Sequence, residues 1–592
     1  MRSGQSGYSR GSVILRWFLR VVPAFLLVFC LCAGWWADYT ARMLEVRRAL
    51  YEGHIERAHL DLARLQRSLF AGPELAFYRK VADLIQGTTD SSSFSESPAE
   101  VVDRLLLRVL AHRALLSGDF EQCVRLARFW KEVSPPGEEG LSVLYLAAGL
   151  LESGHPEMAR SLMASVSREV RKGVLEHRIH SVLDALAAGA RSLVQDRRGN
   201  LVGWVTATGG FRAMDEEIVD LFPVSTIRRL LPQNPPATLR LSLDLELSRL
   251  AAGALRGYDG SIVLMDADSG EILAAVTGSR SRRKWGDAAL TQQLEIASVA
   301  KLVTTVAALR SEIDPDARIR ELRCRSAVDL GGQYLYCPAH HGRLGSLARA
   351  MATSCNTVFA QLGMDVGLPR LQAEFRRFGF DGLYHNGLPL GRLLASPQSA
   401  YELGRLSIGL DIPESTPLHA AVLAAVMANN GRFVEPTLFS ERDGLLGLVL
   451  PKPSVQRGIQ LIPTSWLPLL HEAMGAVISS GGTAESAVPP SFRDRHYAVG
   501  MKTGTAATPG LGYHTNYAGF LADEDRTLAF CVRITGFRVS KLVQQASRVV
   551  THRFLLSLGQ MLPLDEERLD SIPVRWAGSP QPRSTHPSSA SP

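Results

Sequence analysis

Lysine is scarce in this chain: 8 of its 592 residues, against 57 arginines. A motif that demands lysine therefore has few chances to arise by accident. Charge of one sign is not abundant. The net charge is +7, no run holds five like charges, and the densest basic cluster is Arg280, Arg282, Arg283 and Lys284. That balance excludes a dedicated nucleic-acid binder. Cysteine is sparse, with seven in all, which excludes a small disulfide-framed scaffold. Long apolar runs are nearly absent, which excludes a polytopic membrane protein. With 46% apolar and 21% charged residues, neither a disordered chain nor a fibre fits. The length exceeds what one core fills and predicts roughly two to four domains.

One apolar run stands out. Val21 to Ala37 is 17 residues without a charge. Arg2, Arg10, Arg16 and Arg20 precede it, and Trp17, Trp35 and Trp36 flank it. The pattern predicts a single-pass inner-membrane anchor with a cytoplasmic basic flank. The bulk of the chain would then be periplasmic or extracytoplasmic. A cleavable signal peptide is the rival, but no small-x-small site precedes Asp38.

The remainder divides by pattern. Residues 1–40 are tail and anchor, and 41–195 read as helical. Residues 196–237 form a linker or pedestal, 238–565 an α/β domain, and 566–592 a Pro/Ser-rich disordered tail. In the helical part, the element around Gly53 returns around Gly118 and more weakly around Gly154, at separations of 65 and 36 residues. These are near two units and one unit of a period of about 34, with glycine closing each first helix. The array resembles tetratricopeptide hairpins, whose concave faces bind protein partners. In the α/β part, strands are expected at 238–244, 261–266, 272–276, 497–505 and 514–535. Helices are expected at 298–311, 347–366, 415–429 and 464–479.

Three short motifs follow in order. Ser298-Val-Ala-Lys301 places a hydroxyl and an amine one helical turn apart. A neutral, desolvated lysine there can take the serine proton. Ser281-Arg-Arg-Lys284 fits the same pattern, but its clustered cations keep that lysine hydrated. Ser298 instead opens an apolar run (Val299, Leu302, Val303, Val306, Leu309) that can bury and dry Lys301. Ser354-Cys355-Asn356 can aim a hydroxyl and an amide into one cleft. Lys502-Thr503-Gly504-Thr505 ends a strand, where Gly504 lets a substrate backbone approach and Lys502, Thr503 and Thr505 can hold a carboxylate.

Together and in this order, the three motifs resemble the set of penicillin-binding proteins and β-lactamases. Residues 238–560 are similar to the penicillin-binding transpeptidase domain. The chain departs from the usual pattern in having Ile296-Ala297 before Ser298, where Pro-Gly is common, and Ala300 before Lys301, where an aromatic is common. No Glu-Asp-x-x-Phe glycosyltransferase motif is found, so the resemblance is to monofunctional, class B-like members.

The resemblance implies a serine D,D-transpeptidase acting on peptidoglycan stem peptides and inhibited by β-lactams. It implies Ser298 as nucleophile, Lys301 as its base, Ser354 with Lys502 as proton relay, and Asn356 on the acyl-chain amide. Thr503, Gly504 and Thr505 would line the carboxylate site. The chemistry so implied needs no metal or organic cofactor. A D,D-carboxypeptidase and a catalytically weak β-lactam-binding scaffold or sensor are the alternatives, and a cell-wall-synthesis protein is the implied partner of the helical domain.

Cys324 and Cys337 share a polar, Gly-containing loop. In an oxidising compartment they can form a loop-closing disulfide. Free thiols are one alternative. The other is a metal site of Cys337, His340 and His341 with Asp329.

Overall fold

A computed structural model describes residues 38–50, 54–65, 73–86, 103–135, 139–164, 174–232, 236–440, 458–494, 497–523 and 526–561. The expected anchor at 21–37 and tail at 566–592 lie outside them. Among the described residues no helix is long and apolar enough to cross a membrane. The chain packs as two compact units that divide between Ala187 and Ala188.

The first unit is helical. Helix Arg104–Ser117 stops because Gly118 turns left-handed at φ +80, and Asp119 caps helix Phe120–Glu132 by accepting the Gln122 N–H at 3.0 Å. Gly154, at φ +83, likewise separates Gly140–Glu152 from Pro156–Ala164. Two of the three repeat glycines therefore close helices as their spacing predicts. Gly53 lies outside the described residues. Leu107, Ala114, Leu126, Phe129 and Leu151 form the interior, with Phe129 stacked on Phe77 at 6.0 Å.

The second unit opens with a small sheet. Ser192–Gln195 pairs antiparallel with Leu201–Val205 and parallel with Thr238–Arg240. The helical reading of 41–195 therefore overran: the last helix ends at Ala187. Four fully buried strand residues are too few for their own periodicity to register. The Asp196–Asn200 turn forms as read, with Asp196 accepting the N–H groups of Arg198 and Asn200.

The larger sheet has five strands: β1 (Gly260–Asp266), β2 (Ile272–Thr277), β3 (Ala498–Thr508), β4 (Gly512–Ala522) and β5 (Thr527–Phe537). Their spatial order is β3-β4-β5-β1-β2, every neighbour antiparallel, so β3 is an edge. On one face Phe530 meets Phe554 of helix Ser540–Met561. On the other, Phe520 meets His471 of helix Leu467–Ile478. Helix Pro417–Ala428 also packs on the sheet and is buried at all twelve residues. Its near-continuous apolar sequence has no polar stripe to give to water.

Two elements carry the motifs. A 3₁₀ turn, Ala297–Ala300, feeds helix Lys301–Arg310. The run expected at 347–366 is two helices, Leu347–Ala352 and Asn356–Val366. Between them Ser354 is left-handed at φ +51, and the Cys355 N–H donates back to Ala350 O at 3.1 Å. The apolar period continues across the break, which is why it is invisible in pattern alone.

Helix Asn356–Val366 packs against Ala400–Ser407 through Gly363. A Cβ there would lie 1.8 Å from Ser407 Oγ, itself donating to Leu403 O at 2.7 Å. Gly363→Ala is therefore expected to cost about 1–3 kcal/mol by overpacking. Thermal unfolding of the variant, followed by circular dichroism, should show a midpoint several degrees lower.

Candidate active site

The three motifs converge. Lys301 is fully buried at the start of its helix. Its Nζ donates to Ser354 O at 2.7 Å, Ser354 Oγ at 3.1 Å and Asn356 Oδ1 at 2.8 Å. Lys502, also fully buried, arrives from β3 and donates to the same Ser354 Oγ at 2.9 Å and to Thr503 O at 2.8 Å. The left-handed turn at Ser354 makes this possible. It ends one helix and begins the next, so hydroxyl, carbonyl and the Asn356 amide all face the ammonium groups.

Burial pushes Lys301 down to about 8. Lys502 is held well below the ordinary lysine range, by burial first and then by the neighbouring Lys301. Lys284 of the competing Ser281 motif is instead exposed and lies over the Trp285 ring. The distinction drawn from the apolar run after Ser298 is the one the fold makes.

Ser298 is half-buried in the 3₁₀ turn, one residue past Ala297. Strand β3 runs close against this turn. A Cβ on Gly504 would sit 2.8 Å from Ile296 O and 3.2 Å from Ser298 N. Glycine is thus needed for the approach, and it is Gly504 that lies beside Ser298 N. Thr503 Oγ1 donates to Thr483 Oγ1 at 2.7 Å, and Thr505 Oγ1 accepts from Gln544 at 3.3 Å. Thr483 and Gln544 carried no sequence signal as partners of these threonines.

All eight motif residues therefore lie around one cleft edge, with a serine, a buried lysine whose pKa is lowered, a second buried lysine, an amide and an unpaired strand edge. Such a set can deprotonate a hydroxyl, attack a carbonyl and hold a peptide alongside β3. The match of residues 260–548 to the family described as penicillin binding protein transpeptidase domain decides its kind. Residues 260–548 thus resemble a penicillin-binding protein transpeptidase domain along their whole length.

The chain also has curated relatives. The chain is 25% identical over 351 residues to peptidoglycan D,D-transpeptidase MrdA of Acinetobacter baumannii, covering 51% of this chain and 49% of that protein. It is 31% identical over 166 residues to peptidoglycan D,D-transpeptidase PbpA of Mycolicibacterium smegmatis, covering 26% and 33%. The chain thus spans half or less of these two relatives. The crystal structure of Pseudomonas aeruginosa PBP2 in complex with WCK 5153 shares the fold, with a TM-score of 0.52 at 20% identity over 65% of this chain and 99% of that one.

Beside the transpeptidase motifs lies a cluster that the sequence only partly announced. The disulfide expected between Cys324 and Cys337 is not the arrangement found. The five cysteines among the described residues are all free. Both sulfurs instead face His341 Nδ1, at 3.6 and 3.5 Å, and Cys337 Sγ lies 3.9 Å from Cys355 Sγ. All four ligand atoms fall within 4.8 Å of one another. Tetrahedral zinc, with Zn–S near 2.3 Å and Zn–N near 2.0–2.1 Å, sets ligand separations of about 3.8 Å between sulfurs and about 3.5 Å from sulfur to nitrogen. Three of the six separations in the cluster, at 3.5, 3.6 and 3.9 Å, match those lengths.

Of the metal alternative drawn from sequence, Cys337 and His341 belong to the cluster. His340 is exposed, and Asp329 accepts the Gly332 N–H instead. Cys324 and Cys355 complete the set. Four protein donors leave no open position, the pattern of a structural ion. Cys355 separates Ser354 from Asn356, and the Asn356 N–H points at Cys337 Sγ at 3.4 Å. An ion held here would pin the turn that receives both lysines.

Two outcomes follow. Only neutral Lys301 accepts a proton, so its fraction rises as pH climbs through about 8. Acylation by a penicillin, measured by stopped flow, should accelerate between pH 6.5 and 9, and a profile flat over that range would contradict it. Protein purified without chelator should carry about one zinc per chain by mass-spectrometric metal analysis. Cys355→Ser should lose most of it, and a strong chelator should lower the unfolding midpoint of wild type but not of the variant.

Proposed function

We propose that the chain is a serine D,D-transpeptidase that cross-links peptidoglycan stem peptides through an acyl-enzyme on Ser298. The observation that carries the reading is the meeting at Ser354 Oγ of two buried lysines, one of which, Lys301, stands three residues after Ser298. Lys301 takes the Ser298 proton as Oγ attacks the carbonyl carbon of the penultimate D-Ala. The backbone N–H groups of Ser298 and Thr505 receive the developing oxyanion, each donor worth about 3 kcal/mol. The carbon–nitrogen bond breaks, and Ser354 passes the proton to the departing D-Ala amine with Lys502 beside it. An amine of a second stem peptide then attacks the ester carbon, the bond to Ser298 Oγ breaks, and the proton that the attacking amine gives up passes through Lys301 to Ser298 Oγ.

Asn356 holds the acyl-chain amide, while Lys502, Thr503 and Thr505 hold the terminal carboxylate next to Gly504. The donor strand lies along the free edge of β3. β-Lactams would occupy the same path and stay on Ser298. The apolar run at 21–37 would anchor the chain in the inner membrane with the domain outside the cytoplasm. The helical unit, whose glycine-capped hairpins resemble tetratricopeptide repeats, would bind a protein of cell-wall synthesis. Partner capture that survives deletion of residues 45–190 would remove that last element.

Full-length protein in detergent, treated with a fluorescent penicillin, should form one covalent adduct. Ser298→Ala should form none, and Lys301→Ala should acylate about 100- to 10,000-fold more slowly. An adduct that persists in Ser298→Ala would overturn the assignment. Product analysis with a stem pentapeptide separates the acceptors: a cross-linked dimer marks the transpeptidase, and a tetrapeptide alone marks a carboxypeptidase. Acylation with neither product marks the scaffold or sensor.

A further inference from the structure

The residue before the nucleophile carries a conformational burden. Ala297 sits at φ +53, a left-handed backbone that glycine takes freely and alanine does not. The turn must therefore be held from outside. One hold is local: the Ala297 N–H donates to Gly409 O at 2.8 Å, and the Ile296 N–H to Pro413 O at 3.1 Å.

The other hold comes from the central sheet. Asn516 Nδ2 donates to Glu295 O at 3.1 Å and to Ile296 O at 3.2 Å. His514 Nε2 lies 2.9 Å from Glu295 O, a carbonyl to which it can only donate. Asn516 is oriented in turn by Arg533, whose Nε donates to Asn516 Oδ1 at 2.6 Å. Arg533 also donates to Gln292 O at 2.8 Å and Ser415 O at 2.9 Å. Asn516 and Arg533 are directly paired across β4 and β5, and all three side chains are fully buried.

The energetics of this network are unusual. A buried guanidinium is expensive, and an apolar replacement of similar volume is often no less stable. Arg533 has carbonyls, the Ser415 hydroxyl and one amide oxygen as partners, with no carboxylate among them. One donor goes to Gln292 O, in the segment that leads into Ser298, and another orients Asn516, which holds Glu295 O and Ile296 O, so what it secures is geometry.

We propose that Arg533, Asn516 and His514 form a positioning clamp that fixes the carbonyls of Gln292, Glu295 and Ile296, keeps Ala297 left-handed and so aims Ser298. They are positioning residues and touch no reacting atom. The clamp does in this chain what a glycine at 297 would otherwise do. Acylation as its readout rests on the acyl-transfer reading above.

The test is a double-mutant cycle. Asn516→Asp keeps a partner for Arg533 and the packing, but loses the donor and sets a carboxylate against two carbonyls. Its penicillin acylation should fall about 10- to 100-fold relative to wild type, with far-ultraviolet circular dichroism unchanged. Ala297→Gly alone should stay within about threefold of wild type, and added to Asn516→Asp it should recover most of the loss. Asn516→Ala, which leaves no new charge, should behave in the same direction.

Acylation by Asn516→Asp at the wild-type rate would overturn the clamp. So would a double variant no faster than Asn516→Asp. If wild type itself is not acylated, the acyl-transfer reading fails first. The clamp is then decided by hydrogen exchange: peptides covering 292–301 should exchange faster in Asn516→Asp, and unchanged exchange there would overturn it.

Discussion

Two buried lysines reach for one oxygen, and the architecture of the second unit answers to that demand. Lys301 and Lys502 both donate to Ser354 Oγ, and the groups acting on them are burial, each other and nearby thiols, with no carboxylate. Two full charges a few ångströms apart cost roughly 4 kcal/mol at a surface-like dielectric of about 20. The pair therefore sheds charge, which keeps a free amine within reach of a serine at neutral pH. Each element around the cleft has a duty in this. A helix start buries one amine, an edge strand delivers the other, and a broken helix presents the hydroxyl between them.

The presentation depends on backbone that only a surrounding structure can hold. Ala297 and Ser354 are both left-handed without being glycine, and both flank the chemistry. Strain of this kind persists where neighbours over-determine it. At Ala297 those neighbours are Gly409, Pro413 and the Asn516–Arg533 pair. At Ser354 they are the returning Cys355 N–H bond and the two lysine amino groups. Where the opposite was needed, close approach without a side chain, the chain uses glycine. Gly504 lets β3 lie against the nucleophile turn, and Gly409, at φ +82, leaves no room for a Cβ beside Ala297 O.

Much of the catalytic set was legible because its chemistry is local. Ser298 and Lys301 are one turn apart, and the apolar run after them separates them from Ser281 and Lys284. The strands at 261–266, 272–276 and 497–505 alternate or run apolar as strands do. What escaped depends on distance. Cys355 reads as a spacer between two useful residues, and nothing near it points to Cys324 or His341. Asn516, His514 and Arg533 sit in strands where polar residues suggest a solvated face, yet the fold buries all three. The break at 353–355 lay within an unbroken apolar period. Ser192–Gln195 was too short to be told from the helices before it.

The cysteine and histidine tetrad also bears on how this chain can change over generations. Its four members come from a loop and a helix junction, and as ligands of one ion each would be of use only while the other three are present. Losing one would leave the remaining thiols beside the two lysines with no ion to share. The four positions should thus be inherited as a block, present together or replaced together. Cys355 ties that block to Ser354 and Asn356, so a lineage that discards the tetrad must rebuild the turn by other means.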